Sequence, residues 1–296
     1  MHRVLEGAKG YSPGVLAGES GNRIIGVLSY AIVTHSARGR FPLTARTIVV
    51  GGPLGDSAIV RPLLKALDGK VARKSVLCQV RNIVASPDPS PFLDLGYTWE
   101  DHIDFVLDLT RGDRALLQGM SKARRKGIAQ ADRHGLSLRV DDPNVEQNYS
   151  LLRATYERAK IPLADRSLFE SAWKHLRVGG NLWVMDAILE GLPCASRWVL
   201  RWGDHLYDWY AGSSDRGRET HADEWLVWQV LSRGVREGLR TFDFGGAGRP
   251  GEEYGPGEFK RRFGGEVRNP GRFEKTYRPI ARRAAGLAYR IWRKLP

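Results

Sequence analysis

Two residues in the last third of the chain have the types and setting for chemistry. Lys260 stands in Phe259-Lys260-Arg261-Arg262-Phe263-Gly264-Gly265, and Asp243 stands in Thr241-Phe242-Asp243-Phe244-Gly245-Gly246. Between them runs a glycine-rich stretch, free to take backbone shapes that a Cβ forbids. Aromatics on both sides of the lysine can fix its stem and leave its ammonium free. Such an ammonium can stabilise the negative charge that forms on an attacked carbonyl, or it can bind a phosphate. Asp243 can hold an incoming ammonium or take its proton. It can equally cap the loop by accepting the backbone N–H of Gly246 or Gly248.

Other residues extend this list. Lys122, Arg125 and Lys126 fall close together on one predicted helix, where they form a phosphate-binding face or a solvated one. Asp108 lies at the end of a predicted strand, facing substrate or water. Tyr207 and Trp209 share a face by strand alternation, either to stack on a sugar, base or peptide or to fill a core. No nucleophile is set up for covalent catalysis: there is no G-x-S-x-G elbow, and neither Cys78 nor Cys194 has a histidine nearby in sequence. The two cysteines read as reduced core residues. The scattered histidines form no metal-ligand motif, so no metal is expected.

The elements that must position these residues follow from pattern. Predicted strands cover Ile24–Tyr30, Arg46–Val50, Ser75–Val80, Asp104–Leu109 and Leu136–Val140. A short helix is predicted over Ala58–Leu67, and an irregular loop over Phe92–Trp99. A long helix, Arg111–His134, is predicted to start from a Thr110 cap with Asp113 three residues on. Beyond Asp141-Asp142-Pro143 come two helices, Glu146–Lys160 and Ser167–Val178. A meander of three strands follows (Leu182–Leu189, Ala195–Arg201, His205–Ala211), then the helix Asp223–Glu237 and the strand Thr241–Phe244. The fold class is therefore α+β, with mixed, largely antiparallel sheets flanked by helices. The expected domains are 1–140, containing the basic linking helix 111–134, then 141–279, then a C-terminal helix 280–296.

That tail repeats apolar residues at helical spacing (Ala281, Ala284, Ala285, Ala288, Ile291, Trp292, Leu295) with arginines on the other side. It can lie on an anionic bilayer. Docking on the protein body is preferred, because an alanine face buries little area. Overall the 296 residues include 42% hydrophobic positions, enough for a sizeable core, and carry a net charge of +13. Such a charge favours polyanions, phosphorylated small molecules or anionic membranes as partners. No run of about 18 apolar residues predicts a membrane span. The first residues contain no apolar signal core, so a cytoplasmic protein is expected, at the inner face of the membrane if the tail binds there.

The order and spacing of four segments resemble the FemAB-like branch of the GNAT-related acyltransferases. They are Lys122–Arg139 (KARRKGIAQADRHGLSLR), Tyr207–Ser213 (YDWYAGS), Leu239–Gly245 (LRTFDFG) and Phe259–Gly265 (FKRRFGG). The likeness covers most of Gly21–Phe273. It implies two tandem GNAT-like domains and transfer of an amino acid from charged tRNA to an acceptor amine, with aminoacyl-tRNA as co-substrate and no tightly bound cofactor. The acceptor would be a peptidoglycan precursor or a natural-product amine, in some cases phosphorylated. By the same resemblance Phe259 and Lys260 lie at the transfer site, Lys260 stabilising the oxyanion. The Q/R-x-x-G-x-G/A pyrophosphate loop of CoA-dependent relatives has no match here, which disfavours a CoA donor. Two alternatives stay open: an acyl-CoA- or acyl-thioester-dependent N-acyltransferase, and a non-catalytic basic protein that binds RNA or the cell envelope.

Overall fold

The structure, a computed structural model, describes residues 1–34, 45–84, 88–252 and 255–294. Contacts divide the chain into two compact units: Met1–His102 with Asn269–Pro296, and Ile103–Arg268. The first runs through α1 (His2–Glu6), β1 (Tyr11–Ser20), β2 (Arg23–Val33), β3 (Arg46–Val50), β4 (Leu54–Gly55), α2 (Ser57–Val71), β5 (Leu77–Arg81), α3 (Ser90–Leu93) and β6 (Thr98–Glu100). The second opens with β7 (Asp104–Asp108), α4 (Gly112–Gly119), α5 (Lys122–Arg133), β8 (Ser137–Val140), α6 (Val145–Arg158) and α7 (Arg166–Leu176). It continues with β9 (Leu182–Leu189), β10 (Leu192–Trp202), β11 (His205–Ser213), α8 (Asp215–Glu219), α9 (Ala222–Arg236), β12 (Thr241–Gly246), α10 (Gly255–Arg261) and β13 (Glu266–Arg268). The chain then returns to the first unit as β14 (Arg272–Thr276) and α11 (Pro279–Lys294).

Each unit has its own seven-stranded mixed sheet, mostly antiparallel, so the α+β class is as expected. In the first unit the order is β1-β2-β3-β5-β14-β6, with β4 added to β2. Leu63, Leu64, Leu67 and Val71 of α2 meet Leu28, Val49, Cys78 and Val80 of the sheet, and Phe92 stacks on Phe273. β1 was not expected, because Pro13 and two glycines interrupt its pattern. It is tolerated as an edge strand, where a missing N–H costs least.

The second sheet has the order β13-β7-β12-β11-β10-β9-β8. Trp183, Met185, Ala187 and Leu189 of β9 join the core formed with α5 and α9. Asp186, between them, faces the other way and accepts from Asn148 of α6. With helices on both faces, β9 is buried along most of its length, which is why its sequence reads as an apolar run rather than an alternation.

Several expectations need correction. The units divide at residues 102–103 and 268–269, not near 140, because β7 pairs with β12 and β13 from far along the chain. The single helix 111–134 is two, separated by Met120 and Ser121 in extended conformation. Ser121 caps the second one by accepting the Arg124 N–H. Asp113 does not form a capping box with Thr110; it accepts from Ser232 on α9. Phe92–Trp99 is not irregular throughout, since it contains the end of α3 and the start of β6. The tail helix docks only at its start, where Arg282 meets Glu274 and Thr276 of β14. Ile280, Leu287 and Ile291 are exposed, and the small area that alanines offer explains the weak hold. Glu253 and Tyr254, in the middle of the glycine-rich stretch, lie outside the described residues.

Candidate active site

β11 and β12 are neighbouring parallel strands, and they pair over only three positions: His205 with Thr241, Leu206 with Phe242, and Tyr207 with Asp243. Beyond that point β11 continues to Ser213 without β12 as partner, so the sheet opens between two strands at its carboxyl ends. Such openings are where α/β sheets take ligands. The first unit has nothing comparable at its own parallel pair, where β3 and β5 stay in register from Arg46/Leu77 to Val50/Arg81. β11 also carries an extra residue. Tyr210 faces Trp198 and Asp208 faces Val199, which leaves Trp209 outside the register as the odd residue of a bulge.

The end of β12 is turned by Gly245, whose φ of 65° is left-handed. A Cβ there would come within 2.8 Å of the Tyr207 hydroxyl, so glycine serves both the turn and the close approach. Asp243 braces the turn by accepting the Gly245 N–H at 2.7 Å. This is the loop-capping alternative, with Gly245 as donor rather than Gly246 or Gly248.

Lys260 and Phe259 lie on a helical turn, α10, rather than in a loop. Glu258 pairs with Arg261 and Arg262 at i,i+3 and i,i+4 and steadies that turn. From α10 the Lys260 ammonium reaches back to the end of β12. It donates to the carbonyls of Phe244 (2.6 Å), Gly246 (2.8 Å) and Gly245 (3.3 Å). An ammonium has three donors, so it is not free, as the sequence suggested; it clasps the strand end. Loss of hydration lowers its pKa, against the opposing pull of Asp208, Asp104 and Asp243. Asp243 itself is shifted up, chiefly by desolvation, although the Gly245 N–H and Lys260 act in the other direction.

Three groups that sequence reasoning passed over complete the surroundings. Arg197 of β10, 3% exposed, pairs with Asp208 of β11 at 2.6 Å. The second oxygen of Asp208 is buried and has no hydrogen-bond partner among the described residues. Arg124 of α5, 5% exposed, bonds Glu224 of α9 at 2.5 Å and the Phe259 carbonyl at 3.2 Å. Its guanidinium also stands 4.3 Å from the centre of the Phe259 ring and 4.4 Å from that of Phe263. Arg124 thereby links α5, α9 and α10. Its position, at i−4 and i−7 from buried Ile128 and Ala131, was the available signal that it faces inward. Arg197 offered no such signal within a buried strand.

The remaining expected residues are dispersed. Lys122 and Lys126 are exposed on α5, whereas Arg125 turns back to the carbonyls of Leu117, Gln118 and Met120 and closes the end of α4. Asp108 accepts the Thr110 N–H (3.0 Å) and hydroxyl (2.6 Å), contacts that hold its carboxyl below the usual range. It lines a cleft of about 590 Å³ together with Thr110, Arg111, Arg240, Glu266 and Arg268. Tyr207 is exposed. Trp209 packs with Phe169 and Tyr210, so the bulge separates it from Tyr207, with which simple alternation would group it.

A family model described as an acetyltransferase (GNAT) domain matches residues 118–261, within the second unit. FemX is similar in structure, with a TM-score of 0.67 and 14% identity over 97% of this chain and 92% of that one. A tandem GNAT protein from the clavulanic acid biosynthesis pathway gives 0.59 and 14% over 92% and 85%. L-PGS from Bacillus licheniformis gives 0.57 and 14% over 90% and 85%. No curated protein matches the chain. At these identities the likeness is one of fold, and the fold is that of the GNAT superfamily.

Proposed function

We propose that the second unit forms an amide bond, moving an aminoacyl group from charged tRNA to an acceptor amine. The observation that supports this best is the opening between β11 and β12 beside Lys260 and Asp243. An aminoacyl ester is already activated, so the site must orient ester and amine and answer the charge that develops. In this reading the acceptor ammonium gives its proton to Asp243, whose raised proton affinity suits a base. The neutral nitrogen then bonds to the ester carbon, and the carbonyl oxygen takes the electron pair. The C–O bond to the tRNA ribose breaks as the tetrahedral species collapses; the leaving oxygen takes the second proton of the attacking nitrogen, and the first passes from Asp243 to solvent. Lys260 supplies positive charge near the oxyanion and holds the carbonyls of the strand end in place. Phe259 shapes the same wall. Lys122 and Lys126, with Arg111, Arg240 and Arg268 of the cleft, supply phosphate contacts. The acetyltransferase (GNAT) domain model that matches residues 118–261 supports a transferase without naming the substrate.

The test uses the full chain with tRNA charged with radiolabelled amino acids, a panel of amine acceptors, and acetyl-CoA as the competing donor. Label should pass from tRNA to an amine product and stop passing after ribonuclease treatment. Binding of tRNA should weaken steeply with salt as counterions are released. Full turnover with acetyl-CoA in a ribonuclease-treated sample would overturn the donor assignment.

A further inference from the structure

α11 takes no part in the site just described. It rises from a fixed base: Arg282 pairs with the buried carboxylate of Glu274 and donates to the Thr276 hydroxyl at 2.5 Å, both on β14. Around that base three branched aliphatics of the helix face solvent. Ile280 is 85% exposed, Leu287 54% and Ile291 54%. At about 3.6 residues per turn, positions 280, 287 and 291 fall in one row. Arg283 and Arg290 fall in the adjoining row; both are exposed and neither forms an ion pair among the described residues. Ala281 and Ala285, which are half-buried, lie further round the helix.

Charge selects the occupant. Residues 279–296 contain five arginines and lysines and no aspartate or glutamate. A second copy of this face would set cations against cations. An anionic bilayer fits both rows: branched aliphatics enter the boundary of the acyl chains, and arginines at their edge reach lipid phosphates. Among the described residues no helix is long and apolar enough to cross a membrane. A membrane-bound α11 would therefore lie in the interface.

We infer that α11 binds the surface of an anionic bilayer through Ile280, Leu287 and Ile291, with Arg283 and Arg290 on the phosphates and Arg282 tying the helix to β14. This stands independently of the transfer reaction.

Co-sedimentation tests it, using the full chain with vesicles of phosphatidylcholine alone and of phosphatidylcholine with about a third phosphatidylglycerol. The protein should pellet with the anionic vesicles, remain in solution with the neutral ones, and be released by 0.5 M salt. Each cation near the surface is worth roughly fivefold in partitioning, so Arg283→Ala with Arg290→Ala should weaken binding by roughly 25-fold. Leu287→Glu with Ile291→Glu should abolish it, with the melting temperature unchanged because both side chains are exposed. Lys122→Ala with Lys126→Ala should leave it intact. Full binding by the double glutamate variant would overturn the proposal. So would a lipid-free dimer, seen by light scattering, that the same variant dissociates, or loss of tRNA retention by that variant without loss of vesicle binding.

Discussion

Lys260 shows how far a residue's surroundings decide its role. Its ammonium is engaged by three carbonyls, so replacing it removes a charge and also releases the end of β12. Lys260→Ala should therefore lower kcat by roughly 100-fold, the range for loss of an oxyanion-stabilising group, with little change in KM. Lys260→Arg should rescue poorly, because a planar fork cannot meet three converging carbonyls. Single-turnover rates at saturating acceptor would decide the matter, and retention of more than about half the rate would end the catalytic assignment. Asp223 offers a test through stability. Its carboxylate accepts the Ser213 hydroxyl at 2.6 Å, and burial raises its pKa despite the nearby Arg197 charge. Because the folded state favours its protonated form, its contribution is complete below 3.8 and is lost as pH rises through the shifted value. The melting temperature of Asp223→Asn should accordingly gain on that of the parent as pH goes from about 4 to 7. A difference, variant minus parent, that stays constant or falls over that range would contradict the burial argument.

At the scale of elements, the site depends on how closely α6 lies on β11. At Gly212 the helix backbone comes so near that an added Cβ would stand 2.6 Å from the Leu151 carbonyl oxygen and from the Leu152 N and Cα atoms. Backbone cannot yield as a side-chain tip can. Gly212→Ala should destabilise the protein by about 2 kcal/mol or more, as overpacked cores do, and should disturb the strand that carries Asp208. Gly119→Ala is the matched control, since its Cβ would meet nothing within 4 Å; on an α-helix it should be neutral or stabilising by up to about 1 kcal/mol. Urea denaturation of the two variants makes the comparison, and equal midpoints would refute the close-packing account.

For the whole molecule, topology makes the two units unequal in autonomy. Ile103–Arg268 is one unbroken segment that carries every strand of its sheet. Residues 103–268 expressed alone should therefore show a cooperative thermal transition. Residues 1–102 alone should not, because β14, which lies between β5 and β6, comes from beyond residue 268. Circular dichroism on heating would separate the two cases. A cooperative transition from 1–102 alone would show that β14 is dispensable to that sheet.

The sequence by itself determined the α+β class, most strands and helices, and the neighbourhood of Asp243, Phe259 and Lys260. Those features rest on local periodicity, on turn chemistry and on residues close together along the chain. Even there, local rules reached only to the element: they placed Lys260 beside a glycine-rich turn, and the carbonyls its ammonium holds depend on how α10 folds back. The division into units, the union of Arg124 with Glu224 and Phe259, and the Arg197–Asp208 pair were decided by tertiary structure. Each joins groups that lie apart in the chain, and nothing local specifies which strand pairs with which. The same limit explains Trp209, where one extra residue in β11 cancels the alternation that would group it with Tyr207. It also explains α11, whose amphipathic pattern is plain in the sequence but whose exposure is set by what the rest of the fold leaves uncovered.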